Sequence, residues 1–315
     1  MRKRLANQVA TTRAQVAGLD PTVQGMLWTT AAGLMFVCLN SLQRVMSQQL
    51  DPLQAQFLRY GCGLLVMLPL VLRAGFAAYR PRQIGGQFVR GAVHTLGLLM
   101  WYSALPHIPL ADMTAIGFTG PIFIMLGAYL FFKEPMHWDR WLASIIGFLG
   151  VLIVVGPKLS GVGGQYNLLM LASAPVFAAS FLLTKSLTRR DSAQVIVVWQ
   201  SISVTLLSLP FALPHWQHPT ALQWVGFMVS GVLGSAAHYC LARSFAIADI
   251  SSTQSIRFLD LVWSALFGWM IFSDVPSQTT LVGGVVICAA TVWIARREAG
   301  RRAAASDLTA RMPPD

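Results

Sequence analysis

The sequence predicts an all-α membrane protein with ten transmembrane helices, arranged as two inverted five-helix repeats. Three observations lead to this prediction: scarce charge, recurring apolar segments of membrane-spanning length, and a weak internal repeat. Of the 315 residues, 55% are hydrophobic and 11% are charged, whereas soluble domains carry about 25% charged residues. A water-soluble globule, a disordered chain and a disulfide scaffold are therefore excluded.

The apolar segments are long enough to cross roughly 30 Å of hydrocarbon as helices. The predicted spans are 25–46, 53–73, 86–105, 108–132, 139–156, 166–187, 192–213, 222–247, 250–273 and 278–295. Strands of a membrane barrel would be about half as long and would alternate in polarity. These segments do not alternate, so we expect a bundle of helices.

The distribution of Lys and Arg predicts that both termini face the cytoplasm. With the N-terminus inside, seventeen of these residues fall in inner segments, while the outer loops hold Lys158 alone. This asymmetry follows the positive-inside rule for an inner (plasma) membrane protein. We expect cytoplasmic tails over 1–24 and 297–315. The net charge of +11 then reflects attraction to anionic lipids, not to nucleic acid.

A weak repeat relates the two halves of the chain. When the sequence is shifted by 140 residues, Gly86 aligns with Gly226 and Phe132 aligns with Phe272. Because each copy has an odd number of helices, the second copy must insert in the opposite orientation. Inverted repeats are typical of alternating-access carriers, whose substrate site lies between the halves. A simple duplication without a carrier role remains the alternative.

Residues 101–157 combine an Ala-Leu pair before a short turn, a helix of small residues around Pro121, a terminal Glu134 and a following glycine-containing helix. In these features they resemble the EamA repeat of the drug/metabolite transporter superfamily. The second copy, 242–295, is more divergent, with Leu261 opposite Pro121.

The resemblance extends over both halves and divides the chain into a first repeat, 25–157, and a second repeat, 166–296. It implies a permease that moves a small polar or zwitterionic organic metabolite by alternating access, with export slightly favoured over uptake. Relatives are thought to move amino acids, flavins, cofactor-like metabolites and drugs. The sequence has no Walker P-loop, GxSxG or HExxH motif, so we expect no ATP use, no hydrolysis and no cofactor.

The ninth predicted span carries the most polar stripe. Gln254, Arg257, Asp260 and Ser264 have a spacing that places them on one face of a continuous helix. Arg257 and Asp260 can pair at i, i+3. We predict that Arg257 meets a carboxylate or phosphate of the substrate, while Asp260 holds Arg257 in place or exchanges a proton. A structural ion pair, or an arginine that snorkels to the interface, is the alternative.

The repeat-equivalent positions on the fourth span are Thr114, Gly117 and Gly120. Charge on one helix and small residues on its mate predict a cavity between them. Pro121 removes a backbone N–H and should break this helix near the membrane midplane, as carriers do at their binding sites. Close helix packing is an equally good explanation of the glycines.

The other predicted substrate-binding residues are polar or aromatic side chains within further spans. They are Asn40, Arg59, His94, Trp101, Tyr102, His238 and Tyr239. We expect Trp101 and Tyr102 to stack on a planar group, and the histidines to line the pathway or to join helices by hydrogen bonds. The cavity should lie between the third, fourth, eighth and ninth spans, with contributions from the first and sixth.

Two alternatives of other classes stay open. A membrane-embedded transferase would need a reactive pair, for which Asp112 and His107 are the local candidates. A sensor without flux is less consistent with a chain that has no signalling domain. His215 and His218 have the spacing of metal ligands but lack a third ligand, so no metal is expected. The expected partners are a small-molecule substrate and the lipid bilayer, with homodimer formation left open.

Overall fold

The computed structural model describes residues 19–109, 116–117, 119–134, 138–155, 164–273 and 281–286, together with positions 113, 275, 278–279, 289–290 and 293. Within these ranges every regular element is a helix. Thr114, Asp112, most of the predicted tails and much of the predicted tenth span lie outside the described residues.

Ten α-helices lie within the described residues. They are α1 (Pro21–Gln49), α2 (Pro52–Ala74), α3 (Ile84–Ala104), α4 (Gly120–Phe132), α5 (Trp138–Val155), α6 (Gly164–Leu187), α7 (Ala193–Ala212), α8 (Ala221–Ile247), α9 (Ile250–Gln254) and α10 (Leu259–Phe272). Short 3₁₀ turns lie at Phe76–Tyr79, Leu105–His107 and Ser255–Phe258.

Local sequence explains where the first helices begin. The side chain of Asp20 accepts a hydrogen bond from the Thr22 N–H, and α1 begins at Pro21. Asp51 caps α2 in the same way, and Pro52 follows it. Both positions combine a capping carboxylate with a proline in the first turn, where its missing N–H leaves no bond unmade. The two-residue connection between α1 and α2 makes these helices antiparallel.

The predicted spans agree with α2, α3, α5, α6, α7 and α8 to within two residues at each end. Three predictions need correction. The span predicted over 108–132 is interrupted at Thr119, and its helix α4 begins only at Gly120. Helix α1 begins at Pro21 and not at residue 25, because of the cap at Asp20. The span predicted over 250–273 is not one continuous helix, because the 3₁₀ turn Ser255–Phe258 separates α9 from α10.

Three antiparallel helix pairs form the centre of the bundle. Helix α1 packs most extensively on α8, α3 on α6, and α2 on α7. Glycines permit the closest approaches: a Cβ at Gly231 of α8 would lie 2.6 Å from the backbone nitrogen of Gly63 in α2. Backbones can approach this closely only where no side chain intervenes.

Polar contacts join the end of α8 to the two halves of the chain. The Lys185 ammonium group donates hydrogen bonds to the carbonyls of Phe245 (2.8 Å) and Ala248 (2.6 Å). Glu134 accepts a hydrogen bond from the N–H of Ile250, the first residue of α9, at 3.2 Å. These contacts satisfy backbone groups that helix ends leave unpaired.

Five of the described helices, α1, α2, α6, α7 and α8, are long and apolar enough to cross a membrane. Large apolar side chains on the outside of the bundle remain exposed, such as Leu70 (58%), Leu72 (57%) and Phe131 (75%). An exposed apolar surface of this extent is suited to lipid and not to water. The chain is therefore a multi-pass helical membrane protein.

The contact between Gly231 and Gly63 gives a test of the packing. Gly231→Ala would place a methyl group against the backbone of α2, so we expect a loss of about 1–3 kcal/mol in unfolding free energy. Thermal unfolding in detergent measures the change. Gly61→Ala is the control, because the nearest atom to a Cβ there is 3.9 Å away. Equal stability of the two variants would contradict the packing.

Candidate substrate-binding cavity

A cavity of about 180 Å³ lies in the middle of the bundle. Residues of α1, α2, α3, α4, α6, α8 and the segment around the Ser255–Phe258 turn line it. It therefore opens among the helices that the sequence analysis predicted, with α2 as a further wall. Such a concave, mostly apolar site with few polar groups is typical of small-molecule binding.

Most of the predicted binding residues meet at this cavity. Those that line it are Asn40, Arg59, His94, Trp101, Tyr102, Gly117, His238, Arg257 and Asp260. Gly120 and Pro121 of α4 line it as well. The structure thus brings together side chains that are more than 200 residues apart in the chain.

Two predicted residues lie outside the cavity lining. Tyr239 packs edge-on against Trp28, with ring centroids 6.1 Å apart, because it follows His238 and so points to another side of α8. The Gln254 side-chain amide donates to the Ile250 carbonyl of its own helix at 3.0 Å. Its amide is therefore used within its own helix, although the i, i+3 spacing predicted a place beside Arg257.

Arg257 and Asp260 form the predicted ion pair. Arg257 Nε lies 3.9 Å from Asp260 Oδ2, and both side chains are largely buried, 23% and 14% exposed. This distance is too long for a hydrogen bond, so the guanidinium donors keep capacity for a ligand. The Asp260 carboxylate lies directly against Gly33 of α1, where a Cβ would collide with it. The Arg257 guanidinium also lies 5.5 Å from the Phe181 ring centroid.

Both helices that carry the predicted stripe are interrupted at equivalent places. Helix α4 begins at Gly120 with Pro121 in its first turn, and the preceding Thr119 N–H bonds to Ile116 three residues back. On the other copy, the Ser255–Phe258 turn lies directly before α10. These interruptions place Gly117 on one copy and Arg257 on the other at the cavity wall.

Two buried histidines share a hydrogen-bond network behind the cavity wall. His94 Nε2 lies 2.9 Å from the Tyr60 hydroxyl, and His94 Nδ1 lies 3.0 Å from Ser180 Oγ. Gln200 Nε2 lies 3.2 Å from His238 Nε2. The two imidazole centroids are 5.3 Å apart. The two histidines therefore line the cavity and also join helices through hydrogen bonds.

Arg90 anchors this network although the sequence analysis gave it no role. Its guanidinium donates to Thr184 Oγ1 (2.6 Å) and to Gln200 Oε1 (2.9 Å), and Arg90 is only 2% exposed. Its partners lie on α6 and α7, which are distant in sequence. An arginine in an apolar span can equally well be a structural anchor or a substrate ligand. No local sequence signal identified Arg90 as a structural anchor.

Four aromatic residues of the cavity wall were also not predicted from the sequence. Tyr60, Phe36, Phe177 and Phe181 all line the cavity, and Phe177 lies over Phe181 with ring centroids 6.5 Å apart and planes at 22°. The internal repeat contained a signal for them. Six pairs of lining residues are related by the shift of 140 or 141 residues, namely Phe36–Phe177, Val37–Ala178, Asn40–Phe181, Leu98–His238, Gly117–Arg257 and Gly120–Asp260.

The fold and this cavity define a membrane permease built from two related halves. The chain belongs to the EamA-like transporter family, whose model matches residues 23–156 and 165–296. It is therefore a transporter and not an enzyme, and the membrane-embedded transferase is wrong. The nearby His107 ring, proposed as its reactive group, stacks on Tyr166 with centroids 3.9 Å apart.

Curated relatives support the same class. A riboflavin transporter of Rhizobium johnstonii is 33% identical over 89% of this chain and 93% of its own length. An S-adenosylmethionine uptake transporter of Rickettsia prowazekii is 27% identical over 88% of this chain and 94% of its own length. A solved crystal structure with 18% identity has the same fold, with a TM-score of 0.70 over 87% of this chain and 98% of the other.

The Arg90 anchor predicts a large effect on stability. Arg90→Ala leaves the Gln200 and Thr184 acceptors buried without their donor, so we expect a loss of about 2–4 kcal/mol in unfolding free energy. Thermal unfolding of the purified protein measures it. Arg73→Ala is the matched control, because Arg73 lies exposed in the last turn of α2. An Arg90 variant as stable as that control would remove the structural role.

Proposed function

We propose that this transporter moves a planar, polar organic metabolite with an anionic or zwitterionic group by alternating access around the central cavity. The observation that carries the proposal is the joint presence of aromatic walls and the Arg257–Asp260 pair in one cavity. Aromatic and imidazole rings suit the faces of a planar group. The guanidinium of Arg257, whose ion pair with Asp260 is long, suits a carboxylate or phosphate.

The helix directions support an inverted relation between the halves. Helix α1 is antiparallel to α2 through their short connection, and α2 is antiparallel to α7. At one end of this pair Gln54 bonds to Gln217, and at the other Met67 packs with Val197. Helices α7 and α6 are antiparallel around the turn at 188–190. It follows that α1 and α6, which the repeat aligns, run in opposite directions.

The packing supports the same relation. The α1–α8 pair and the α3–α6 pair are exchanged when each helix is replaced by its mate in the other repeat. Together with the six paired lining positions, this pattern supports a pseudo-twofold axis that passes through the cavity. In an alternating-access carrier, such an axis gives one site two equivalent gates.

We also propose the full membrane topology of the chain. It consists of ten spans in two inverted five-helix repeats, over 25–157 and 166–296, with both termini cytoplasmic in an inner membrane. The single outer-loop lysine supports this orientation. Homodimer formation stays a prediction.

The names of the relatives support the substrate class. A relative named as a riboflavin transporter and another named for uptake of S-adenosylmethionine both concern molecules with a planar heterocycle and a polar extension. The aromatic lining of this cavity fits the same general shape. We therefore put flavins and nucleoside-like metabolites ahead of simple amino acids.

Counterflow in proteoliposomes tests the substrate class. We expect exchange with a flavin or nucleoside and stronger competition from a phosphorylated member of a matched pair, such as riboflavin 5′-phosphate against riboflavin. Amino acids without a ring should compete weakly. Preference for ring-free amino acids would contradict the aromatic site, and flux in only one vesicle orientation would decide between export and uptake. Repeating the assay with a pH gradient tests proton coupling.

Arg257 is the residue on which this assay should depend. Arg257→Ala removes the guanidinium that faces the cavity, so we expect flux to fall at least tenfold while Arg257→Lys retains part of it. Arg190→Ala is the control, because Arg190 is exposed in the turn after α6. Full transport by correctly inserted Arg257→Ala protein would end the assignment.

A further inference from the structure

The hydrogen bonds around His238 leave one of its ring nitrogens without a partner in the described part of the chain. His238 Nε2 lies 3.2 Å from Gln200 Nε2. Nδ1 makes no hydrogen bond to any residue that the structure describes. It is also not one of the fully enclosed polar atoms that lack a partner among these residues. Nδ1 therefore borders open volume, although the residue as a whole is only 6% exposed.

Arg90 determines the orientation of the Gln200 side-chain amide. A guanidinium has donors only, so the Gln200 atom that lies 2.9 Å from Arg90 NH2 has to be the oxygen Oε1. The amide nitrogen Nε2 then faces His238 Nε2 and, at 3.5 Å, the Tyr60 hydroxyl. Arg90 is itself held in place, because its Nε donates to Thr184 Oγ1 at 2.6 Å. The Gln200 amide is thus fixed as a donor towards His238.

Gln200 in turn determines which nitrogen of His238 carries the proton. A neutral imidazole has one donor and one acceptor nitrogen, whereas an imidazolium has two donors. Because Gln200 Nε2 donates, His238 Nε2 has to accept. This excludes the imidazolium and the tautomer with its proton on Nε2, since two N–H groups would then face each other. His238 is therefore neutral with its proton on Nδ1, because the hydrogen bond at one ring nitrogen sets the state of the other.

His94, which also lines the central cavity, is bonded at both ring nitrogens. Its Nε2 lies 2.9 Å from the Tyr60 hydroxyl, and its Nδ1 lies 3.0 Å from Ser180 Oγ. The hydrogen-bonding capacity of this ring is used within the protein. Of the two neighbouring imidazoles, His238 is the one that keeps a donor for a ligand.

The side of His238 away from Gln200 borders the central cavity. Gln200 does not line that cavity. It lies instead beside a second cavity of about 10 Å³, which has room for one water at most. The other contacts of the His238 ring are with Phe36, at 5.0 Å between centroids, and with His94. Both of these residues line the central cavity. The Nδ1–H group therefore lacks an acceptor that a ligand in the central cavity can supply.

We propose that His238 Nδ1–H donates a hydrogen bond to the substrate. It thereby selects a planar ring with an acceptor at its edge, either a carbonyl oxygen or an unprotonated ring nitrogen. Arg90 and Gln200 are positioning residues, since they hold the proton on Nδ1 without lining the central cavity. The inference rests on the proposed function and adds a requirement at the ring edge to the anionic requirement at Arg257. A ring with a donor at the same place is rejected, because two N–H groups would meet.

Nitrogen NMR of the purified full-length protein with isotope-labelled histidine tests the position of the proton. The chemical shift of an imidazole nitrogen differs strongly between its protonated and unprotonated forms. We expect the His238 signals, assigned by their loss in His238→Asn, to show a protonated Nδ1 and an unprotonated Nε2. A proton on Nε2, alone or together with one on Nδ1, would overturn the proposal. This measurement needs no substrate, so its result is independent of the proposed function.

Gln200→Glu tests the positioning role with almost no change of shape. A carboxylate accepts from Arg90 and also presents an acceptor to His238, so we expect Nε2 of His238 to become protonated. Gln200→Leu covers the case in which this variant does not fold. It removes the donor and should give a mixture of the two neutral tautomers.

Ser208→Ala is the matched control on α7, because Ser208 is buried and bonds its own helix at Val204 (2.7 Å). It should leave the His238 signals unchanged. Signals that stay unchanged in both Gln200 variants would exclude Gln200 as the residue that sets the tautomer.

Two substitutions of His238 test the contact with the substrate. An asparagine amide reaches the position of Nδ1, whereas a glutamine amide reaches the position of Nε2. In riboflavin counterflow we expect His238→Asn to retain most of the apparent affinity. His238→Gln should lose about tenfold, as expected for one hydrogen bond. Equal losses, or a better glutamine variant, would overturn the contact.

Wild-type flux separates a failure of this inference from a failure of the proposed function. If the wild-type protein does not exchange riboflavin, the same comparison is made with adenosine, whose ring also carries acceptor nitrogens. Exchange of neither compound would overturn the proposed function and the substrate contact together. Exchange by the wild-type protein with no difference between the two His238 variants would overturn the contact alone.

Discussion

Buried positive charge is the constraint on which the rest of this structure depends. Arg59, Arg90 and Arg257 all lie in the interior of an apolar bundle, where a guanidinium needs compensation. The compensation differs among them: Arg90 bonds to neutral acceptors on two helices, Arg257 has a carboxylate 3.9 Å away, and Arg59 interacts with two tyrosines, Tyr60 and Tyr102. The degree of compensation separates an anchor from groups that can receive a ligand.

The central cavity lies where two helices of the bundle are interrupted. The interruptions before α4 and before α10 end the regular helical stacking at equivalent places in the two copies. At each interruption glycines or charged side chains line the central cavity, namely Gly117 and Gly120 in one copy and Arg257 and Asp260 in the other. Glycines elsewhere do the opposite, since Gly231 and Gly63 let α8 and α2 approach until their backbones touch. Because the surrounding helices pack closely, the open volume of the cavity is confined to the places where helices are interrupted.

The sequence predicted this arrangement well where the signal was local or periodic. Long apolar segments gave most helices to within two residues, because a spanning helix must be continuously apolar. The i, i+3 spacing gave the Arg257–Asp260 pair correctly. It failed for Gln254, because the side-chain amide donates to the Ile250 carbonyl of its own helix, a bond that the spacing does not predict. Tyr239 was misplaced because a neighbouring residue on a helix faces a different side.

The sequence by itself determined the membrane class, most of the helices, the internal repeat and nine of the residues that line the central cavity. It could do so because polar groups inside an apolar span are costly and therefore conspicuous. Only the tertiary structure decided which of those groups are anchors and which face open volume, since Arg90 and Arg59 look alike along the chain. Their difference lies in partners supplied by distant helices, and such partners depend on packing that no local pattern contains.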